Sequence, residues 1–157
     1  MSELSHLDAT GAARMVDVSD KAVSARTAVA SGVVRTTAEV IGLLRSDGLP
    51  KGDALATARI AGIMAAKHTP DLVPLCHPIA LTGVNIDLAL GDTDVTITAT
   101  VRTTDRTGVE MEALTAVAGA GLALHDMIKA VDPAAVLDAV RVERKEGGKT
   151  GLWERAR

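Results

Sequence analysis

Strands are the first feature that the alternation of hydrophobic and polar residues predicts in this chain. Residues 84–90 and 95–101 alternate strictly and flank a Gly-Asp-Thr-Asp turn, a pattern typical of a β-hairpin. β-Branched residues at 26–35 and a closing run at 137–145 predict two more strands. A shorter run at 13–19 predicts an additional strand near the N-terminus.

Helical periodicity marks three further segments. Thr36 and Glu39 have the spacing of a capping box, which predicts a short helix that stops at a Ser-Asp-Gly sequence. Residues 108–131 predict the longest helix, because an Asp-Pro pair follows and ends it. A second helix follows the sequence LPKGD, and its predicted buried stripe is made of Ala56, Ile60, Ile63 and Met64.

The order of these elements indicates the fold class. From residue 26 onward the chain runs strand, helices, strand, strand, helix, strand, which matches a ferredoxin-like split unit. We therefore predict an α+β fold with an antiparallel sheet, helices packed on one face, and an extra N-terminal strand and helix. Residues 1–157 would form a single domain, in which 1–12 and 146–157 are interpreted as a mobile arm and tail.

Composition excludes several classes of protein. The net charge of -3 argues against a general nucleic-acid binder or an adaptor for anionic membranes. The apolar run at 116–124 is far shorter than the roughly 20 residues needed to span a bilayer. No secretory signal is visible, and a single cysteine suits a reducing compartment, so we expect a cytoplasmic protein. With no Phe or Tyr and one Trp, a base-like ligand would have to lie between aliphatic walls.

Acidic residues and a lysine mark the two ends of the long predicted helix. Glu110 and Glu112 lie in its first turn, where acids also simply stabilise the positive end of a helix dipole. Asp126 and Lys129 have i, i+3 spacing, which brings them side by side and is common in plain surface ion pairs. The apolar run that precedes His125 must be buried, and this favours a functional role for the pair.

The spacing of these acids predicts an assembly. Glu112 and Asp126 are separated by about 21 Å along a helix, although they face within about 40° of each other. One small substrate cannot touch both on the same helix, so a neighbouring subunit would have to complete the site. The Gly- and Ala-rich sequence AVAGAGLAL would allow the close approach of elements in such an oligomer.

A proline-rich loop places a thiol beside an imidazole. Pro70, Pro74 and Pro78 predict a stiff, irregular connection that carries Cys76 and His77. Adjacent residues rarely face each other, so the two do not form a catalytic dyad by themselves. His77 either donates to a backbone carbonyl or orients a ligand and transfers protons. With one cysteine and no paired histidines, no metal site is predicted.

Basic side chains recur at predicted loops and element ends. There is no Walker A motif or GxGxxG sequence, so point charges from different elements would hold a phosphate. These residues are Lys21, Arg26, Lys51, Lys67, His68, Lys129, Arg141, Lys145 and Lys149.

These segments together resemble the cyclic pyranopterin monophosphate synthases of molybdenum cofactor biosynthesis, the MoaC family. The matching stretches run from about residue 6 to 153, and they are ARMVDVSDK, LPKGDALATARIAGIMAAKHTPDLVPLCHPI, TGVEMEALTA, HDMIKAVD and GGKTG. The resemblance implies a lyase that rearranges 3′,8-cyclo-7,8-dihydro-GTP into a tricyclic pterin with a cyclic phosphate and releases pyrophosphate. It implies no redox cofactor, leaves open whether Mg²⁺ accompanies the phosphates, and implies a homohexamer of three dimers with sites between subunits.

The resemblance also assigns roles to residues. It implies that Asp126 is the acid/base and Lys129 its partner, with Lys51 in the same pocket. The implied substrate-binding residues are Leu75, Cys76, His77, Met111, Glu112 and Lys145, to which we add Glu110, Arg26 and Lys21. Two other functions stay open on the residues alone: a non-catalytic ferredoxin-like module that binds a small phosphorylated metabolite, and a Cys-His hydrolase.

Overall fold

The computed structural model describes residues 4–156 as an α+β fold built on a five-stranded antiparallel sheet. No helix within this range is long and apolar enough to cross a membrane. The predicted arm and tail include residues 1–3 and 157, which lie outside the described part. The elements in chain order are β1 (Ser24–Arg35), α1 (Ala38–Arg45), α2 (Ala54–Lys67), α3 (Thr69–Leu72), β2 (Leu81–Leu90), β3 (Asp94–Asp105), α4 (Glu110–Ile128), β4 (Val136–Glu146) and β5 (Trp153–Glu154).

The strand order confirms the ferredoxin-like arrangement. The strands lie in the order β2-β3-β1-β4-β5, so β1 occupies the centre between β3 and β4. The hairpin of β2 and β3 forms where the alternation predicts it. Buried positions alternate along β1 at Ala28, Ala30 and Val34, which is the pattern of a sheet covered on one face. Helix α4 packs on that face against β1, β3 and β4, and α2 packs on α4 and β2.

Small residues allow α2 and α4 to approach closely. A Cβ on Gly119 would lie 2.5 Å from the Cβ of Ala65, and a Cβ on Gly62 would lie 2.9 Å from the carbonyl oxygen of Ala116. The sheet is equally close, because a Cβ on Gly32 would lie 2.7 Å from Val117. The Gly- and Ala-rich sequence of α4 therefore serves packing inside one chain, and its role in contacts between subunits stays a prediction.

Helix α2 buries a different face from the predicted one. Its buried residues are Ala54, Ala58, Gly62 and Ala66. The bulkier Ile60 and Met64 of the predicted stripe are instead 59% and 54% exposed. The prediction was wrong because the contact with α4 admits only small side chains.

Two local predictions also need correction. Residues 13–19 form no strand, because no neighbouring strand offers them a ladder, and only an isolated bridge joins Leu7 to Ala13. The additional strand lies instead at the other end of the chain, where β5 pairs with β4. Thr37 rather than Thr36 caps α1, accepting from the backbone N–H of Val40, whereas Thr36 donates to Asp132.

Candidate active site

Helix α4 carries candidate functional residues at both ends. Glu110 and Glu112 lie in its first turn and Asp126 in its last, within a single helix of 19 residues. Because α2 runs antiparallel along α4, the loop before α2 meets the C-terminal end of α4, and the loop after α3 meets its N-terminal end. One chain therefore presents two separate groups of side chains, about 21 Å apart.

The C-terminal group is an aspartate held between two lysines. Lys51 Nζ donates to Asp126 Oδ2 at 2.9 Å, and Lys129 Nζ donates to Asp126 Oδ1 at 2.7 Å. These hydrogen bonds and the lysine charges lower the pKa of Asp126 to about 2. Asp126 is therefore an anion near neutral pH, and it can accept a proton but does not carry one to donate. The three side chains are about half exposed in the single chain, at 44–54%.

The N-terminal group borders a cavity of about 580 Å³ with mainly aliphatic walls. The loop after α3 supplies one wall, the start of α4 a second, and the N-terminal segment of the chain a third. The lining residues are Ser5, His6, Val16, Val18, Lys21, Val73, Pro74, Leu75, Cys76, His77, Thr107, Gly108, Glu110 and Met111. Among residues 4–156, no Phe, Tyr or Trp side chain lines it, as the composition predicts for any base-binding pocket of this protein.

A second, polar cavity of about 280 Å³ adjoins the first and shares Lys21 and Glu110 with it. Its walls carry four basic side chains, Lys21, Arg26, Lys145 and Lys149. Lys145 Nζ lies 3.3 Å from Glu110 Oε1, which joins β4 to the start of α4. Two cavities of opposite character thus meet at one place, as a ligand with a ring system and phosphates requires.

Arg26 is fixed by backbone groups at the edge of this polar cavity. Its Nε donates to the carbonyl of Asp105 at 3.1 Å and its Nη2 to that of Arg106 at 3.3 Å. Its guanidinium also lies against Gly148, which has φ +75° and has no room for a Cβ beside Arg26. Glycine at position 148 of the GGKTG sequence therefore leaves room for the Arg26 guanidinium.

Cys76 is a protonated thiol above a buried carboxyl. Its Sγ lies 3.6 Å from Glu112 Oε1, and Glu112 is 2% exposed. Burial raises the pKa of Glu112, and burial together with the Glu112 charge raises the pKa of Cys76 to about 11. Among residues 4–156, Glu112 Oε2 has no hydrogen-bond partner. These contacts disfavour Cys76 as a nucleophile near neutral pH.

His77 makes the backbone contact that was one of its two predicted roles. Its Nε2 lies 2.5 Å from the carbonyl oxygen of Val16. A carbonyl only accepts, so Nε2 carries the hydrogen. His77 also lines the aliphatic cavity. It does not pair with Cys76, because the Cys76 thiol is directed to Glu112.

The structure brings the predicted site residues together in two groups, one at each end of α4. Lys51, Asp126 and Lys129 meet at one end of α4. At the other end, Leu75, Cys76, His77, Met111, Glu110 and Lys21 line the aliphatic cavity, with Arg26 and Lys145 in the polar one and Glu112 beneath Cys76. Within one chain, Lys145 lies at the opposite end of α4 from Lys51 and Lys129, so the pocket that they are predicted to share stays a prediction and requires a neighbouring subunit. Sequence reasoning missed Ser5 and His6, because the first dozen residues are polar and unpatterned, and it missed Val16 and Val18 because it assigned residues 13–19 to a strand.

Comparisons with known proteins identify the family of the chain. The model of the MoaC family matches residues 15–148. The chain is 65% identical to cyclic pyranopterin monophosphate synthase 2 of Mycobacterium tuberculosis over 153 residues, which cover 98% of this chain and 92% of the relative. It is 66% identical to the cyclic pyranopterin monophosphate synthase of Streptomyces coelicolor, covering 98% and 90%. The enzyme of the same name from a Nocardioides species is 63% identical, covering 97% and 95%. Because the family model covers both ends of α4 and most of the lining of both cavities, and the relatives match almost end to end, the chain belongs to the MoaC family.

Proposed function

We propose that the protein is a cyclic pyranopterin monophosphate synthase of molybdenum cofactor biosynthesis. It would convert 3′,8-cyclo-7,8-dihydro-GTP into the cyclic pyranopterin with release of pyrophosphate. The observation that carries the proposal is the Lys51–Asp126–Lys129 cluster, in which a carboxylate and two ammonium groups lie within hydrogen-bond distance. The names of the relatives support the same activity.

The cluster has the groups that rearranging a purine ring needs. Opening and reclosing the ring requires several proton transfers, each by a group within hydrogen-bond reach. Asp126, with its pKa near 2, is the base, and an ammonium of Lys129 or Lys51 is the nearest acid. Once an ammonium has donated its proton to the substrate, the neutral amine that remains can take up the proton that Asp126 accepted, so the three groups act as one acid/base unit.

The two cavities match the two parts of the proposed substrate. The aliphatic cavity of about 580 Å³ falls within the range of small-molecule sites and would hold the ring system. Lys21, Arg26, Lys145 and Lys149 would hold the triphosphate and stabilise the departing pyrophosphate. No redox cofactor is needed for this rearrangement, and Mg²⁺ would enter only with the phosphates.

A complete site in this proposal requires two subunits. The cluster at Asp126 and the cavity at Glu110 lie at opposite ends of α4, too far apart for one substrate molecule. A dimer that brings the Asp126 end of one chain to the cavity of its partner would assemble both parts. We propose such dimers, three to a homohexamer, in a cytoplasmic enzyme.

The experiment is a direct assay with the cyclised GTP substrate. Pyrophosphate and the fluorescent oxidised pterin should both appear, in equal amounts, as substrate disappears. Binding without conversion would overturn the proposal in favour of a non-catalytic module. Pyrophosphate without pterin, abolished when Cys76 is alkylated, would indicate a Cys-His hydrolase instead. Cys76→Ser is the matched variant, because it removes the thiol and should keep the activity of a synthase.

A further inference from the structure

The N-terminal arm, residues 4–23, covers the aliphatic cavity without belonging to the sheet. It precedes β1 and contributes Ser5, His6, Val16, Val18 and Lys21 to the cavity wall. Most of the arm is exposed, in contrast to the buried elements beneath it. A segment that is exposed and yet forms a cavity wall closes that cavity only while something holds it in place.

The arm has its own internal hydrogen bonds. Asp8 Oδ1 accepts from the backbone N–H groups of Thr10 and Ala12 at 2.8 and 3.0 Å. Arg14 N–H donates to the carbonyl of His6 at 2.8 Å, which closes a loop around Gly11. These bonds form one compact turn that can move as a unit, with His6 at the edge facing the cavity.

A single hydrogen bond joins the arm to the rest of the protein. Within the part of the chain that the structure describes, the bond between His77 Nε2 and the carbonyl of Val16 is the only hydrogen bond between the arm and the folded body. Open space lies on both sides of it, because cavities of about 580 and 460 Å³ both have Val16, Val18, His77 and Thr107 in their walls. At this point the arm therefore separates two cavities.

We propose that the arm is a strap that closes over bound substrate and that His77 is its latch. His77 is a positioning residue in this arrangement, because it holds Val16 and through it brings His6 and Lys21 against the ligand. His6 is then a further substrate contact. The identity of the ligand rests on the proposed function, whereas the latch rests on the contact of His77 with Val16.

Trypsin reports on the strap directly, since Arg14 and Lys21 are exposed in it. In the ligand-free protein, His77→Leu should speed cleavage after Arg14 by about tenfold, because local opening limits proteolysis and Leu cannot donate. His77→Gln is the matched control: its amide nitrogen lies as many bonds from Cα as the histidine Nε2, so it should restore slow cleavage. Equal cleavage of wild type and His77→Leu would overturn the latch.

Substrate should close the strap. In an Asp126→Asn variant, which we expect to bind the cyclised GTP without converting it, saturating substrate should slow cleavage after Arg14 by about tenfold or more. Cleavage after Arg155, in the C-terminal tail, is the internal control and should not change. Binding detected by calorimetry with unchanged cleavage at Arg14 would overturn the strap.

The kinetic consequence distinguishes a latch from a proton-transfer role. His77→Leu should raise KM about tenfold with a smaller change in kcat, and His77→Gln should reverse most of that rise in KM because its amide can donate to Val16. A loss of kcat in both variants would assign proton transfer to His77 and overturn its role as a latch. If wild type itself converts no substrate, the proposed function fails, and the ligand-free cleavage rates still decide the latch.

Discussion

At the residue scale, Lys129 should separate catalysis from folding. Its ion pair with Asp126 is half exposed, and such pairs contribute only about 0–1 kcal/mol to stability. Loss of a positioned acid or base costs about 100-fold or more in rate. We therefore expect Lys129→Ala to abolish pyrophosphate release while its thermal midpoint stays within a few degrees of wild type.

Lys67→Ala is the matched control for this prediction, because Lys67 is an exposed lysine at the end of α2 and belongs to neither group. It should retain full activity. Normal pyrophosphate release by a purified, folded Lys129→Ala variant would contradict the assignment of the acid/base pair.

Cys76 should react slowly with alkylating agents near neutral pH. Only the thiolate reacts, and burial together with the Glu112 carboxylate raises the pKa of Cys76 to about 11. The rate with iodoacetamide should therefore climb about tenfold per pH unit through the alkaline range, up to that pKa. Because the chain has one cysteine, the mass of the whole protein measures the reaction.

Glu112→Gln should accelerate the alkylation of Cys76, since it removes the negative charge that disfavours the thiolate and keeps the shape of the side chain. A plateau of the rate near pH 8 in wild type would show an ordinary thiol and refute the raised pKa. It would also reopen the hydrolase hypothesis.

The sequence predicts individual site residues only where a local rule applies. The i, i+3 rule brings Asp126 and Lys129 together, and the structure confirms the contact. Lys51 joins them across 75 positions of the chain, a contact that no spacing rule contains and that only the family resemblance suggested. His6 gave no signal because the start of the chain is unpatterned, and the pattern around Val16 was misread as a strand, because the role of both depends on where the arm folds back.

At the element scale, hydrophobic size misled the prediction for α2. The larger apolar residues Ile60 and Met64 were assigned to the core, whereas the structure buries Ala58 and Gly62 against α4. Periodicity identifies a helix, but the face that packs depends on how closely its partner approaches. Gly119 sets that distance here. It belongs to another helix, α4, and follows Gly62 by 57 positions in the sequence.

Gly119→Ala should destabilise the fold even though alanine is the better helix former. The added methyl would lie 2.5 Å from the Cβ of Ala65, and such overpacking typically costs about 1–3 kcal/mol. The gain in helix propensity, about 0.5–1 kcal/mol, offsets only part of this cost. Urea unfolding should show a lower midpoint with an unchanged slope.

Gly42→Ala in α1 is the matched substitution, because a Cβ there meets no atom within 4 Å. It should raise the urea midpoint, corresponding to about 0.5–1 kcal/mol. If both variants shifted in the same direction, close packing between α2 and α4 would not be the determinant.

The main strands and the long helix were predicted to within a few residues. Predicted 108–131 became α4 (Glu110–Ile128), and predicted 137–145 became β4 (Val136–Glu146). The hydrophobic patterns of these segments are long enough to identify the type of each element without any tertiary contact. The extension at 13–19 failed because a strand needs a partner, and β5 was not predicted because two residues have no pattern of their own and depend on pairing with β4.

At the scale of the whole molecule, α4 separates the cluster of Lys51, Asp126 and Lys129 from the two cavities. Asp126 lies at one end of α4, where it contacts Lys51, and Glu110 lies at the other end, where it contacts Lys145. The stiffness of a 19-residue helix packed on a sheet prevents the two ends from approaching within one chain. If both ends of α4 act on one substrate, the site must be shared between subunits. Mixing variants can test this sharing without knowledge of the subunit interface.

Two inactive variants should restore each other when mixed. Lys145→Ala damages the cavity end and Asp126→Asn the catalytic end, so a mixed dimer contains one site with both lesions and one with neither. Random reassociation of equal amounts makes about half of the dimers mixed, and activity should return to about a quarter of wild type. Asp126→Asn mixed with Lys129→Ala should stay inactive, because both lesions lie at the same end and every site keeps one. Differently tagged copies, recovered together, establish that subunits exchange. If they do and the first mixture is still inactive, each site is contained within a single chain, and α4 cannot be what divides it.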